Sequence, residues 1–199
     1  MTEVEQKEDL LREIINIGIG RAASVLNEMI ASVIELDVPE IKLLNLKEIW
    51  DHLEYKSREE VCTVSLEFKG SLSGSAKLVL RAREASSIVS MLTGENDASP
   101  DDIDVMKSAT LTEVGNILLN SVLGNFSNIL DLEITYDIPL FEQDELVKAF
   151  SSDAERLSIV VLMCKTKFFI QEVGFSGLIM VLFNKSSFHK LDNFLQDKL

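Results

Sequence analysis

The stretch EIINIGIG, residues 13–20, returns a hundred positions later as EVGNILLN, residues 113–120. In both stretches a glutamate precedes an asparagine by three residues inside an otherwise apolar run. That spacing places the acid and the amide one helical turn apart on the same face. Asparagine is a poor helix former, because its side chain competes for backbone hydrogen bonds. Finding it twice with the same neighbour favours a functional explanation over chance.

Each run divides into a polar and an apolar face when it is plotted at about 100° per residue. The first polar face holds Glu13, Asn16 and Gly20. It lies opposite an apolar set made of Leu11, Ile15, Gly18, Ala22, Leu26, Met29 and Val33. The second polar face holds Glu113, Asn116, Asn120 and Ser127, opposite Leu111, Val114, Leu118, Val122, Phe126 and Ile129. The sequence therefore predicts two amphipathic helices, each presenting a carboxylate beside an amide.

Composition narrows the class of protein. The chain has 199 residues, 46% hydrophobic and 26% charged, which is typical of a globular protein. The net charge of −14 argues against nucleic acid and against anionic membranes as partners. No apolar run reaches the roughly 18–20 residues of a membrane span, and the polar start lacks a signal-peptide core. With Cys62 and Cys164 interpreted as buried thiols, we expect a cytoplasmic protein without membrane insertion.

The remaining pattern predicts the same series of elements twice. The first half predicts a helix over 5–35 ended by Asp37-Val38-Pro39, a strand over 40–46 and a turn or short helix within 47–60. A hairpin of strands 61–68 and 74–80 follows, and then a helix over 84–92 capped by Gly94. The second half predicts a helix over 104–130, strands over 132–136, 157–165 and 177–183, and a closing helix over 185–195.

These two series predict an internally duplicated α/β fold. We expect pseudo-two-fold helix–strand–hairpin–helix units that share one β-sheet, with two long helices carrying the motifs. The repeats span about 9–94 and 104–199, and the polar composition of segment 95–104 predicts a linker between them. A half of about 100 residues has too few helices to cover a sheet by itself, so we treat residues 1–199 as a single domain.

Most familiar catalytic patterns are absent from the sequence. No cysteine or histidine spacing suggests zinc, no glycine-rich loop follows a strand, and no nucleophile elbow occurs. The two Glu/Asn pairs remain. An asparagine amide cannot act as a base, but it can fix a water molecule, while a glutamate can dock a partner's lysine. Both roles suit hydrolysis of an acyl phosphate carried by another molecule. The same pairs would also serve as a plain binding epitope.

The residues that carry these pairs resemble the CheC/CheX/FliY family of chemotaxis phosphatases. The signature is Glu-x-x-Asn followed by Ile-Gly-x-Gly-x-Ala, which stands here at residues 13–22; the second copy begins at Leu111, and a Phe-Lys-Gly-Ser turn starts at Phe68. Two motifs in one chain of this length resemble the CheC-type members. The likeness covers about residues 9–195.

Membership implies hydrolysis of the aspartyl phosphate of a CheY-type response regulator. On that resemblance, Asn16 and Asn116 would orient the attacking water, and Glu13 and Glu113 would bind the regulator's lysine. The chain would have no cofactor of its own, since magnesium would belong to the regulator, and CheD would be a second partner. The alternative is a non-catalytic adaptor of the same fold that binds CheD or flagellar-switch components.

The second copy departs from the first at two positions. Leu118 and Asn120 stand where the first copy has Gly18 and Gly20. The glycines would let a partner, or another helix, approach the backbone closely. If they serve a partner, the two sites are unequal.

Overall fold

The computed structural model describes residues 3–29, 33–94, 105–150, 159–170 and 173–199. Its helices are α1 (Glu3–Met29), α2 (Ile49–His52), α3 (Ala82–Thr93), α4 (Val105–Leu130), α5 (Leu146–Ala149) and α6 (Lys185–Gln196). Its strands are β1 (Ile34–Asn45), β2 (Glu60–Gly70), β3 (Gly74–Arg81), β4 (Ile134–Tyr136), β5 (Leu140–Glu145), β6 (Ile159–Ile170) and β7 (Val173–Asn184).

The seven strands form one antiparallel sheet in the order β1-β6-β7-β3-β2-β4, with β5 also paired to β2. Each half contributes a hairpin, β2–β3 in the first and β6–β7 in the second. The strand that precedes each hairpin pairs with the hairpin of the other half: β1 joins β6, while β4 and β5 join β2. The predicted fold of two duplicated units sharing one sheet is confirmed.

The two-fold relation is visible in the register of the two central strands. Gly74 of β3 lies opposite Phe183, and Leu80 lies opposite Gly177. A shift of 103 residues converts the first pair into the second, since it carries Gly74 to Gly177 and Leu80 to Phe183. The pseudo-two-fold axis therefore passes between β3 and β7. The repeat boundaries near 95–104 lie outside the described residues and stay a prediction.

The four long helices cover one face of the sheet. Alternate residues of β2, namely Cys62, Val64, Leu66 and Phe68, join residues of α1, α3, α4 and α6 in the larger core cluster. The opposite face is covered by the short helices α2 and α5, whose Ile49 and Leu146 pack with Val79 and Met180. Since both faces are buried, the central strands are almost continuously apolar rather than alternating.

The first helix is shorter than predicted, and the strand after it is longer. We expected a helix as far as residue 35, but α1 ends at Met29 and β1 has begun by Ile34. Residues 30–32 lie outside the described part. The expectation that Pro39 ends the helix was wrong, because β1 runs through it at a register shift between Asp37 and Glu40. Since β1 is an edge strand, a residue without an N–H is tolerated there.

Two further differences from the predictions concern the strand β5 and the exposure of Val33. Residues 140–145 form β5, which was not predicted, since only Leu140 and Phe141 of its six residues are apolar and its strand character comes from pairing with β2. Val33, assigned to the buried face of the first helix, is 69% exposed because it follows α1 rather than belonging to it. The predicted hairpin 61–80 and the left-handed cap at Gly94 are confirmed.

Gly18 accounts for the close packing of α1 on α4. A Cβ atom at this position would lie 2.9 Å from the Cα atom of Val122 and 3.0 Å from the carbonyl oxygen of Ser121. The equivalent pair in the other copy, Leu118 and Ala22, exchanges the large and the small residue, and both are fully buried. Gly18 therefore serves helix packing, not partner docking. Gly20 is exposed, and a Cβ there would meet nothing within 4 Å.

We expect Gly18→Leu and Gly20→Leu to change stability in opposite directions. Leucine at 18 must push two helix backbones apart and should lower the free energy of unfolding by about 1–3 kcal/mol. Leucine at 20 gains helix propensity without a clash and should raise it by roughly 0.5 kcal/mol. Urea denaturation of both variants measures this. Equal effects at the two positions would show that α1 does not approach α4 as closely as described.

Candidate functional site

The two long helices that carry the Glu/Asn pairs pack against each other in antiparallel directions. Gly18 of α1 lies against Val122 of α4, while Asn125, further along α4, donates from Nδ2 to the carbonyl oxygen of Ile14 at 2.6 Å. Asn125 is 1% exposed. This bond fixes α4 to the backbone of α1 between Glu13 and Asn16, so it holds the first motif in place.

Antiparallel packing separates the two pairs. Because Ile14 lies level with Asn125 and Gly18 with Val122, Asn116 lies level with a residue near position 24 of α1. Eight residues then separate it from Asn16, which corresponds to about 12 Å along the helix at about 1.5 Å per residue. The four predicted residues therefore form two separate Glu/Asn pairs and not one composite centre.

The first pair is open to solvent. Glu13 and Asn16 are both exposed, as is the neighbouring Ile17 at 39%. Neither polar side chain forms a hydrogen bond or ion pair with any other described residue. The nearby guanidinium of Arg12 is bound to Asp9 at 2.8 Å instead. The Glu13 carboxylate and the Asn16 amide can thus both be used for external contacts.

The second pair has the same order but a different environment. Glu113 is exposed, whereas Asn116 is half-buried. Asn120, one turn further along α4, donates from Nδ2 to the Oδ1 atom of Asn116 at 2.6 Å. The first copy has Gly20 at that position, which offers no such donor. The two asparagines therefore differ in how tightly they are held.

A small pocket of about 130 Å³ adjoins Glu113. Six other residues line it, and they come from α1, α3 and α4: Leu26, Leu92, Thr93, Thr110, Val114 and Ile117. Leu26 corresponds to the larger Phe126 in the other copy, and Phe126 is buried in the core. The carboxylate of Glu113 thus borders a mostly apolar recess that could take the aliphatic part of a partner's side chain.

The side chains near the pairs limit the chemistry. Neither pair contains a nucleophile or a histidine base, and no cluster of metal-ligating side chains occurs within the described ranges. Burial raises the pKa of Cys62 and of Cys164 to about 12, so neither thiol is a nucleophile near neutral pH. What the pairs can do is bind a cation through the carboxylate and orient a water through the amide.

A larger pocket of about 360 Å³ lies on the other face of the sheet and contains none of the four motif residues. Its charges are paired: Lys165 binds Glu40 at 2.8 Å, and Arg81 binds Glu59 at 2.8 Å. Hydrogen bonds from Lys165 and Lys42 hold the pKa of the Glu40 carboxyl below its usual value. These ion pairs link neighbouring strands and loops.

Sequence reasoning missed two asparagines of α4. The counterpart of Asn125 in the first copy is Val25, so an amide in place of an apolar residue was the available signal. Asn120 was assigned to the exposed face but is half-buried and bound to Asn116. Ser127, placed on the same face, instead donates its hydroxyl to the carbonyl oxygen of Leu132 and closes the end of α4.

Comparison with known proteins identifies similar chains. No family model matches the sequence. The CheY-P phosphatase CheC of Bacillus subtilis (strain 168) is 30% identical over 158 residues, which are 78% of this chain and 75% of that protein.

None of the helices in the described ranges is both long enough and apolar enough to span a membrane.

Solved structures share the fold. Thermotoga maritima FliY superimposes with a TM-score of 0.78 at 20% identity, covering 100% of this chain and 99% of that one. A chain in the CheX–CheY–BeF3–Mg²⁺ complex of Borrelia burgdorferi gives a TM-score of 0.53 at 22% identity, covering 85% of this chain and 97% of that one. Both likenesses extend over most of the helices and the sheet.

We expect Asn125→Asp to destabilise the protein strongly. The change keeps the size of the side chain but places a buried carboxylate against the carbonyl oxygen of Ile14, which should cost about 3 kcal/mol of unfolding free energy. Asn125→Val, which copies Val25, removes the bond and its polar atoms together and should cost only about 1 kcal/mol. Chemical denaturation measures both.

The matched control for this prediction is Asn128→Asp, three residues further along the same helix and exposed. It adds the same charge and should change stability by less than about 0.5 kcal/mol. Similar losses for Asn125→Asp and Asn128→Asp would mean that the bond to Ile14 does not hold the two helices together.

Proposed function

Since the chain belongs to the CheC/CheX/FliY family of chemotaxis proteins, we propose that it hydrolyses the aspartyl phosphate of a CheY-type response regulator. One observation carries the proposal: both Glu/Asn pairs lie on the outer side of long helices, with both carboxylates exposed. The relative from Bacillus subtilis is named a CheY-P phosphatase, which supports the same substrate class.

The first step of the proposed reaction is docking. Glu13 or Glu113 pairs with a lysine of the regulator, and the exposed face of a long helix enters the regulator's phosphorylation site. The acidic character of the chain, with a net charge of −14, favours a cationic group on the partner's side. At the second pair, the pocket of about 130 Å³ would receive the methylene stem of that lysine.

The second step is attack by water on phosphorus. An asparagine amide has an oxygen that accepts from water and an N–H group that donates to water or to a phosphoryl oxygen. Held beside the aspartyl phosphate, it fixes the water in line with the bond to the aspartyl oxygen. Water supplies the hydroxyl, the aspartate leaves as a carboxylate, and inorganic phosphate is released. We propose that the regulator supplies magnesium for this step.

We also propose CheD as a second partner, which rests on the family resemblance, and the cytoplasm as the compartment, which is supported by the free, buried thiols of Cys62 and Cys164. An adaptor of the same fold would use the same exposed faces for docking but would release no phosphate. Measurement of turnover therefore decides between the two functions.

We expect Asn16→Ala and Asn116→Ala each to leave part of the phosphatase activity. Each change removes the water-orienting amide from one pair, while the other lies about 12 Å away along the helices and remains intact. Phosphate release from a phosphorylated CheY-type regulator with Mg²⁺ measures this. Asn128→Ala, an exposed asparagine of α4 outside the motifs, is the control and should retain full activity.

Two results would contradict this prediction. Full activity in both single variants, with no loss at either position, would show that the two amides have no role in the hydrolysis. No acceleration by the wild-type protein with any CheY-type regulator, with or without CheD, would favour the adaptor function.

In an Asn116→Ala protein, only the first pair is expected to work. In that background we expect Glu13→Gln to raise KM with little change in kcat. Loss of the carboxylate removes an ion pair formed on docking, and the rise should be about tenfold at low salt. Added salt should weaken docking of the Asn116→Ala protein more than docking of the protein that also carries Glu13→Gln, because salt screens the ion pair formed by Glu13. Steady-state kinetics at two ionic strengths measure both effects.

Glu28→Gln provides the control for charge, since Glu28 is exposed on the same helix and the net charge changes equally. If Glu28→Gln raised KM as much as Glu13→Gln, the carboxylate of Glu13 would act only through the net negative charge of the protein. If Glu13→Gln lowered kcat alone, its part would be in the chemical step and not in docking.

A further inference from the structure

Asn120 forms a contact that distinguishes the two Glu/Asn pairs. Its Nδ2 atom donates to the Oδ1 atom of Asn116 at 2.6 Å, and both side chains are half-buried. In the first pair the equivalent position is Gly20, and Asn16 forms no side-chain hydrogen bond with any residue of the described ranges. One amide is therefore held before a partner arrives, and the other is free to rotate.

Stability does not account for Asn120. Its Oδ1 atom is buried without a hydrogen-bond partner, which is unfavourable for a polar atom. Asparagine is also a poor residue in the middle of a helix. Since Asn120 costs stability at this position, its contact with Asn116 requires another explanation.

We propose that Asn120 is a positioning residue that orients Asn116 for water attack, which makes the second pair the faster of the two. This proposal rests on the proposed phosphatase function. The bond fixes the plane of the Asn116 amide, so less rotational freedom is lost than at Asn16 when the amide aligns the attacking water in the transition state. The Oδ1 atom of Asn116 keeps one lone pair for water, and its Nδ2 group keeps both donors.

The bond also polarises the Asn116 amide. Donation into a carbonyl oxygen strengthens the N–H groups of the same amide as donors. In the proposed reaction those groups would donate to the phosphoryl oxygens, on which charge grows. Pre-orientation and polarisation act in the same direction, and both act on kcat rather than on docking.

The test begins with removal of Asn120 from a protein in which Asn16→Ala leaves only the second pair working. Asn120→Ala should lower kcat about twofold to tenfold with little change in KM, as expected when one side chain must be ordered in the transition state after docking. Asn120→Gln, which keeps an amide donor, should recover part of the rate. The Tm of Asn120→Ala should be unchanged or higher, because a buried unpaired oxygen is removed.

The reciprocal test transfers the contact to the first pair. With Asn116→Ala in place, Gly20→Asn puts a donor one turn from Asn16, and the open space around Gly20 can accommodate it. This variant should raise kcat twofold to tenfold. Gly20→Ala, which adds a Cβ atom without a donor, is the matched control and should leave kcat unchanged.

An independent measurement does not require turnover. The side-chain amide of Asn116 should have a higher NMR order parameter than that of Asn16, and the difference should disappear in Asn120→Ala. Equal order parameters in the wild-type protein would overturn the proposal whatever the activity. If the wild-type protein releases no phosphate from any regulator, the proposed function fails, and the order parameters still decide whether Asn120 holds Asn116.

Two kinetic results would overturn the inference while leaving the phosphatase function intact. One is an Asn120→Ala variant with unchanged or higher kcat, which would mean that the bond withholds the Asn116 oxygen from water. The other is a fall in both Tm and kcat that Asn120→Gln does not reverse, which would make Asn120 a structural residue.

Discussion

The close approach of α1 to α4 is the constraint on which the rest of the structure depends. Gly18 allows the backbone of α1 to touch that of Val122, and Asn125 fixes the two helices at the level of Ile14. With their inner faces used for this contact and for the sheet, both helices present the opposite side to solvent. The Glu/Asn pairs lie on that side, about 12 Å apart along the axis.

The same two-fold relation organises the sheet, but it is not followed by every side chain. Equivalent positions hold Gly18 and Leu118, Gly20 and Asn120, Val25 and Asn125, and Leu26 and Phe126. These differences lie in or beside the helix pair. The result is a fold with two-fold symmetry and two pairs in unequal environments. The amide of the first pair is free, whereas the second pair has an amide bound by Asn120 and a pocket beside its glutamate.

The sequence predicted the elements whose patterns are local. The two motif helices, the hairpin 61–80 and the closing helix over 185–195 follow from periodicity and caps, and the exposure of Glu13, Asn16 and Glu113 follows from the same helical pattern. It could not predict β5, whose strand character depends on pairing with β2 across some eighty positions. The passage of β1 through Pro39 likewise depends on its place at the edge of the sheet. The partners of Asn120 and Asn125 required knowledge of side-chain orientation and helix crossing.

A variant that carries both Asn16→Ala and Asn116→Ala provides the most direct test of the central claim, that the two amides orient the water for hydrolysis. Binding to a phosphorylated CheY-type regulator and release of phosphate should be measured on the same preparation. Binding should stay close to that of the wild-type protein, since both glutamates remain, while catalysed release should fall by about a hundredfold or more. Undiminished release by the double variant would contradict it.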